Sequence, residues 1–320
     1  MDPLETETET ESETETGMGA GTGAGTGTET EPWTRPEVGA LAVPGATLHY
    51  EVRGAGPLLL LLGGGNSDAA VFERLGAVLA ADHRVVTVDP RGNSRSTLDG
   101  PPVDQRIEVH ADDAYRLLER LSPGGGPVRV FGSCSGGLTA LELARRHPER
   151  IAALVVHEPP AFGLLPDAAE RLAFIDGVYG TFRREGTAAA MAEFSALFGG
   201  RPAPELPEAH DNTALFLAHM LRPSTRFLPD VAALAPLAGR IAVAGGRDSR
   251  TQTVHRPAEV LAERLGRRLL EFPGGHVGYV RWPEEFAGVL RGALAGVWER
   301  GGAPSGRPLT RPGGRAAEGG

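Results

Sequence analysis

The 320-residue sequence contains no lysine, a single cysteine and no long uninterrupted apolar run. With one cysteine no internal disulfide can form, and we therefore predict a cytoplasmic location. No segment approaches the ~18 consecutive apolar residues of a membrane-spanning helix, so we expect no association with a membrane. Basic runs with interleaved aromatic residues are also missing, and we expect no nucleic-acid partner.

The formal net charge of −9 comes from one end of the chain. Residues 1–31 hold nine acidic residues and no basic residue, whereas the remainder holds 32 acidic residues and 32 arginines. The Glu-Thr and Gly-Thr repeats of this segment cannot bury enough apolar surface to offset chain entropy. We predict a disordered acidic tail over residues 1–37, which is neither a signal peptide nor an anchor, and a second flexible tail over residues 299–320.

Between the tails, short apolar β-like segments alternate with helical segments. The β-like segments are residues 43–52, 58–62, 84–88, 128–131, 151–156, 240–244 and 268–272. This alternation predicts an α/β fold, a mostly parallel sheet with helices on both faces. The alternation of β-like and helical segments is interrupted at residues 161–237, where the sequence is typical of helices with frequent prolines. We predict that these residues form an inserted helical cap between core segments 38–160 and 238–298.

The cysteine lies in the sequence Gly-Ser-Cys-Ser-Gly at 132–136, between a β-like segment and a helical one. A strand, a tight glycine-flanked turn and a helix form the context of a nucleophile elbow. Of the three central residues, only Cys134 has glycine two positions away on both sides. The helix N-terminus favours an anion, so we expect the thiol to ionise readily. The alternative is that Cys134 is a small buried apolar residue.

A thiol nucleophile needs a base, and the base needs an acid that orients it. His276 lies in a glycine-rich loop after the last predicted strand, and we predict it as the base. Two acids end predicted strands, Asp248 and Glu158. We favour Asp248, whose position suits the chain order nucleophile, acid, histidine, and keep Glu158 as the alternative. The competing interpretations are a solvent-facing histidine and an aspartate that only caps a helix.

Together these motifs resemble the α/β-hydrolase fold superfamily over residues 40–298. The apolar segment 58–62 that enters a glycine loop and the Asp-Pro-Arg-Gly-Asn-Ser-Arg-Ser sequence at 89–96 also match. Two departures stand out. Cysteine replaces the usual serine nucleophile, as in dienelactone hydrolases and some thioesterase-like cyclases, and Gly63 stands where His-Gly is common.

The resemblance implies an oxyanion hole built from backbone amides, whose side chains are dispensable. The predicted donors are the N–H groups of Ser135 and of Gly65 or Gly64. The glycine loop is not a phosphate cradle, because no Lys-Ser/Thr pair follows it. We predict no cofactor and no metal.

The function implied is hydrolysis of a small-molecule ester, lactone or thioester through a Cys134–His276–Asp248 triad and an acyl-enzyme intermediate. Dehalogenases and epoxide hydrolases use a carboxylate nucleophile, so a thiol at this position excludes their reactions. One alternative is an acyltransferase or cyclase that uses the same acyl-thioester, and another is a non-catalytic homologue that binds a small ligand. We expect a small-molecule acyl substrate as partner, and a monomer or homodimer.

Overall fold

A computed structural model describes residues 35–200 and 210–296 of the chain. Residues 1–34 and 299–320 of the predicted tails, residues 201–209 of the predicted cap and residues 297–298 of the predicted core lie outside the described part. Glu37, predicted as the last residue of the disordered tail, instead begins the first strand and pairs with Val52.

The described residues form one mixed sheet in the order β1-β2-β4-β3-β6-β7-β8-β9, with the short β5 paired to β2. The pairs among β3, β4 and β6 to β9 are parallel, whereas β2 runs antiparallel to β1, β4 and β5. The strands are β1 Glu37–Val43, β2 Ala46–Arg53, β3 Leu58–Leu62, β4 Arg84–Val88, β5 Thr97–Leu98, β6 Val128–Ser133, β7 Ile151–His157, β8 Ile241–Gly246 and β9 Leu270–Phe272.

Helices follow most of the parallel strands, as the alternating sequence predicts. They are α1 Glu73–Leu79, α2 Ile107–Leu121, α3 Ser135–Arg146, α4 Ala168–Glu185, α5 Thr187–Phe194, α6 His210–Leu215, α7 Leu221–Arg226, α8 Val231–Leu234, α9 Arg256–Arg264, α10 Gly278–Arg281 and α11 Pro283–Leu294. No helix in the described ranges combines the length and the apolar character needed to cross a bilayer.

Strand β3 shows why the sequence contains five consecutive leucines. Leu60 and Leu62 pack into a core with residues of α2, α3 and α9, while Leu59 and Leu61 pack into a second core with residues of α1 and α11. Successive side chains of a strand point to opposite faces, so a strand covered on both sides must be apolar at every position. The sheet therefore has two cores, and the α/β fold predicted from the sequence is confirmed.

Helices α4 to α8 lie between β7 and β8, where the alternation of the sequence stops, and we call residues 161–237 the cap. The cap has its own apolar cluster, which includes Ile175, Val178, Phe216 and Leu217. Residues Ala69–Phe72 form a 3-10 turn before α1, and a short helix starts at Gly278, directly after the loop that carries His276.

Candidate active site

Cys134 lies at a sharp turn between β6 and α3. Its backbone has φ +55° and ψ −131°, a left-handed conformation that a residue with a side chain rarely adopts. A Cβ on Gly136 would come within 2.2 Å of the carbonyl oxygen of Leu62, and one on Gly132 within 2.5 Å of the carbonyl oxygen of Gly136. The glycines are thus required by the close approach of α3 to the neighbouring strands, which is the physical basis of the motif.

His276 is held between a carboxylate and the thiol. Its Nδ1 lies 2.7 Å from Oε2 of Glu158, and the Cys134 side chain also interacts with the ring. Burial lowers the pKa of His276, but the hydrogen bonds to Cys134 and Glu158, together with the charges of these groups, raise it to about 10. This arrangement favours an imidazolium next to the sulfur.

Glu158 follows β7 directly and is fully buried. Its Oε1 accepts hydrogen bonds from the Gly246 N–H at 2.8 Å, from the hydroxyl of Ser249 and from Nδ1 of His255 at 3.0 Å. Burial alone would raise the pKa of this carboxyl, but the hydrogen bonds from His255 and His276 hold it well below its ordinary value. With Oε1 surrounded by donors, Oε2 is left to His276.

Asp248, the acid favoured from the sequence, does not have this position. It lies in the turn after β8 with its side chain exposed, and its backbone N–H donates to the carbonyl oxygen of Gly274 at 2.9 Å. The strand order explains the difference. β7 lies beside β6, where His157 pairs with Ser133, so the next residue, Glu158, emerges beside the elbow, whereas β8 is one strand farther away.

The glycine loop after β3 packs against the elbow. A Cβ on Gly64 would lie 2.5 Å from the Cβ of Cys134, so this loop can touch the nucleophile only without a side chain. The Gly65 N–H donates to Oγ of Ser135 at 2.8 Å, and Oγ of Ser67 donates to the Gly64 carbonyl at 2.7 Å. The Ser135 N–H belongs to the first turn of α3, where amides have no acceptor within the helix. Gly64 and Ser135 therefore lie directly beside Cys134, and Gly65 is bonded to Ser135.

Two cavities meet at Cys134 and His276, and Phe194, Phe198 and Phe216 of the cap line both. One runs along the glycine loop, beside Asn66 and Ser67. The other lies under the cap. Its remaining described lining residues are Ser135, Glu158, Pro160, Phe162, Leu197, Leu221, Ser224, Thr225 and Val254.

The cavity under the cap has few polar groups to offer a ligand. Oγ of Ser224 donates to the Met220 carbonyl and Oγ1 of Thr225 to the Leu221 carbonyl, both at 2.7 Å within their own helical segment. Glu158 is saturated by the donors named above. Among its described lining residues there is no arginine, and His276 is the one basic side chain, already bonded to Glu158 through Nδ1. In residues 35–200 and 210–296 no cluster of histidine, cysteine and acidic side chains has a geometry for holding a metal ion.

His255 and Ser249 fix the carboxylate of Glu158, and neither was predicted from the sequence. His255 is 2% exposed and directly precedes α9, and Ser249 follows Asp248 in the turn after β8. Neither residue stands in a recognisable motif. Both residues follow β8, the same strand end as Asp248, and their role is to bond Glu158, which follows β7.

Comparison with known proteins gives a consistent family. A model described as the alpha/beta hydrolase fold matches residues 57–199. The chain is 36% identical over 266 residues to an uncharacterised hydrolase, YraK, of Bacillus subtilis (strain 168), and the alignment covers 80% of this chain and 95% of that protein.

Solved structures share the architecture. A thermophilic esterase from Thermogutta terrifontis with bound malate superposes with a TM-score of 0.64 at 22% identity, over 83% of this chain and 98% of the other. Est816, described as an N-acyl homoserine lactone degrading enzyme, superposes with a TM-score of 0.59 at 22% identity, over 79% of this chain and 99% of the other. At this level of identity the likeness shows the fold.

Proposed function

This chain belongs to the α/β hydrolase family, and we propose that it hydrolyses uncharged small-molecule esters or lactones, or thioesters, through a Cys134–His276–Glu158 triad. The observation that carries the proposal is the position of His276, which bonds Glu158 through Nδ1 and meets Cys134 on its other side. A nucleophile, a base and an acid that orients the base are the parts that acyl transfer requires.

The proposed reaction begins with the thiolate of Cys134. Its sulfur forms a bond to the carbonyl carbon, and the carbonyl oxygen becomes an oxyanion next to the amides of the glycine loop and Ser135. As the carbonyl re-forms, the leaving oxygen or sulfur departs with the proton of His276. Neutral His276 then takes a proton from water, the hydroxide attacks the thioester, and the C–S bond breaks to release the acid and restore the thiolate.

The cavities support an uncharged, apolar acyl group. Phenylalanines of the cap and the residues around them give the cavity under the cap an apolar wall, and the hydroxyls of Ser224 and Thr225 donate within their own helical segment. A carboxylate buried there would meet one basic group among the described lining residues, His276, and that group is already paired with Glu158, so its burial would be unfavourable. The esterase and lactone-degrading structures with the same fold accord with an ester or lactone as substrate.

The proposal is tested by intact mass spectrometry and turnover with p-nitrophenyl butyrate. We expect an acyl adduct on the wild-type protein and none on Cys134→Ala. Glu158→Gln should lower kcat on the order of 10²- to 10⁴-fold, because His276 loses the acceptor that orients it and stabilises its charge. Asp248→Asn is the matched control at the exposed acid and should stay within about twofold of wild type.

Glu158→Asp provides a second variant if the glutamine form does not fold, since it keeps the carboxylate but shortens its reach. Hydrolysis and transfer are separated by product analysis with an added amine or alcohol. The proposed function fails if a panel of short esters, lactones and thioesters leaves the wild-type protein unacylated, or if Cys134→Ala retains full turnover.

A further inference from the structure

The side chain of Ser135 takes part in the elbow in a way that a backbone oxyanion hole does not require. Ser135 is 7% exposed and lines the cavity under the cap together with Cys134. Its Oγ accepts the hydrogen bond of the Gly65 N–H at 2.8 Å. Gly65 is a predicted oxyanion donor, so the amide expected to point at a substrate oxygen is directed at a hydroxyl instead.

That hydroxyl retains a proton of its own. A serine Oγ can accept one hydrogen bond and donate another at the same time. Within residues 35–200 and 210–296 the Ser135 hydroxyl proton has no protein acceptor, whereas the Ser135 carbonyl oxygen is already bonded to Oγ1 of Thr139 at 3.2 Å. Because the group is buried beside the nucleophile, the acceptor best placed for its proton is an oxygen that arrives with a substrate.

We infer that the Ser135 hydroxyl is itself a donor of the oxyanion hole. It accepts from the Gly65 N–H and donates to the oxyanion formed at Cys134, beside the donation from the Ser135 N–H. Hydrogen bonds in such a chain polarise one another, so the Gly65 amide strengthens the hydroxyl as a donor. The inference rests on the proposed function, and it assigns a catalytic role to a side chain that the backbone amides alone would make dispensable.

Two reactions of Cys134 separate this role from a structural one. Acylation by p-nitrophenyl butyrate passes through an oxyanion, whereas alkylation by iodoacetamide displaces iodide at a saturated carbon and forms none. We expect Ser135→Ala to lower the acylation rate roughly 10- to 100-fold, below or at the level found for loss of one oxyanion donor. Its alkylation rate should remain within about twofold of wild type.

Thr139→Ala is the matched control. It removes another buried hydroxyl of the same helix, one that bonds the Ser135 carbonyl, and should change neither rate by more than about twofold. If Ser135→Ala does not fold, Ser135→Thr and Ser135→Val provide the comparison, since they have the same shape and only threonine keeps the hydroxyl. The threonine variant should acylate faster than the valine variant, with equal alkylation.

Three outcomes would contradict the inference or the proposed function on which it rests. Acylation of Ser135→Ala at or above the wild-type rate would mean that the Gly65 N–H serves the oxyanion directly, and overturns the inference. Equal losses of acylation and alkylation would mean that the hydroxyl supports the thiol, which also overturns it. A wild-type protein that is alkylated but never acylated would instead overturn the proposed function.

Discussion

At the scale of single residues, backbone strain coincides with the proposed chemistry. In the described part of the chain, Cys134, Glu158 and Ser94 are the non-glycine residues with positive φ. Such conformations cost of order 1–3 kcal/mol each and persist only where the surroundings impose them. The Cys134 N–H donates to the His157 carbonyl and the Glu158 N–H to the Ala244 carbonyl, both at 3.0 Å. Strand ends therefore fix both partners of His276.

The charge state of His276 gives a prediction for this residue. We expect its ring to titrate near pH 10 in the wild-type protein, as followed by NMR of imidazole labelled with ¹⁵N. The pKa should fall in Cys134→Ala, because that variant loses the hydrogen bond and charge that raise it. A protonated His276 stabilises the fold fully below its unfolded pKa of about 6.5, and this contribution is lost as the pH rises through about 10.

The control for this titration is Asp248→Asn, which leaves both partners of His276 in place and should leave its pKa unchanged. A His276 ring that titrates below pH 7 in the wild-type protein would contradict the ion pair. A pKa of His276 that falls as far in Asp248→Asn as in Cys134→Ala would show that the exposed acid contributes as much as Cys134 to the raised pKa.

The residues of the site differ in how far the sequence could predict them. Cys134 and His276 stand in glycine-flanked motifs, and the conformations that require glycine are encoded locally. The choice between Glu158 and Asp248 depends on which strand lies next to β6 and on donors supplied by a different segment, Ser249 and His255. A single sequence contains no local signal for such long-range contacts, so chain order alone led to the wrong preference for the partner of His276.

At the scale of elements, a buried amide is one of the groups that join the cap to the core. Asn212 is 3% exposed, its Oδ1 accepts the Ser94 N–H at 2.7 Å, and its Nδ2 donates to the Asn66 carbonyl at 3.1 Å and to Oγ of Ser94 at 2.9 Å. Asn66 follows the glycine loop directly. The same side chain thus bonds helix α6 to the loop that faces Cys134 and to the turn after β4.

We expect Asn212→Ala to loosen this junction. The change leaves buried donors and acceptors unpaired, which costs about 1–3 kcal/mol of unfolding free energy. Backbone amides of α6 and α7 should exchange hydrogen faster, because their local opening becomes easier. Ser195→Ala is the control, since it removes an exposed cap hydroxyl that bonds the Ala192 carbonyl. Unchanged exchange in α6 and α7 of Asn212→Ala would refute the role of this side chain.

The interruption of the alternation predicted a helical insertion over residues 161–237, and helices α4 to α8 lie between β7 and β8. It did not indicate how the cap meets the core. Asn212 lies 118 positions from Ser94, and its three bonds form only when two distant loops converge. Helical periodicity reports which face of an element is apolar, not which polar side chain is buried at a junction.

At the scale of the whole molecule, the packing of the core extends to the proposed site. The core that contains Phe131, Phe272 and Phe286 also surrounds His157, the residue before Glu158. The fully apolar strands predicted this two-sided burial, since parallel strands covered by helices have no polar face. His157, at the end of β7, is an exception to this apolar pattern. Because its side chain is packed inside the core, its protonation affects the stability of the whole fold.

His157 should make the stability of the molecule depend on pH. It is fully buried, its Nε2 has no hydrogen-bond partner in the described residues, and burial lowers its pKa to about 4. The unfolded chain takes up a proton near pH 6.5 while the folded one cannot. The stabilisation is therefore present above pH 6.5 and is lost as the pH falls towards 4, an effect of about 3 kcal/mol. His157→Phe should keep the unfolding free energy at pH 7 within ~1 kcal/mol and remove most of this loss.

Urea denaturation at pH 7, 5.5 and 4.5 measures the effect on the whole molecule. Phe272→Leu alters the same aromatic cluster without a titratable group, so it should lower the unfolding free energy by the same amount at each pH. The phenylalanine ring can replace the imidazole because the neighbours are aromatic and the one polar contact, Nδ1 to Oγ of Ser133, is long at 3.5 Å. If wild type and His157→Phe lose stability in parallel between pH 7 and 4.5, the acid sensitivity of the fold arises from groups other than this buried histidine.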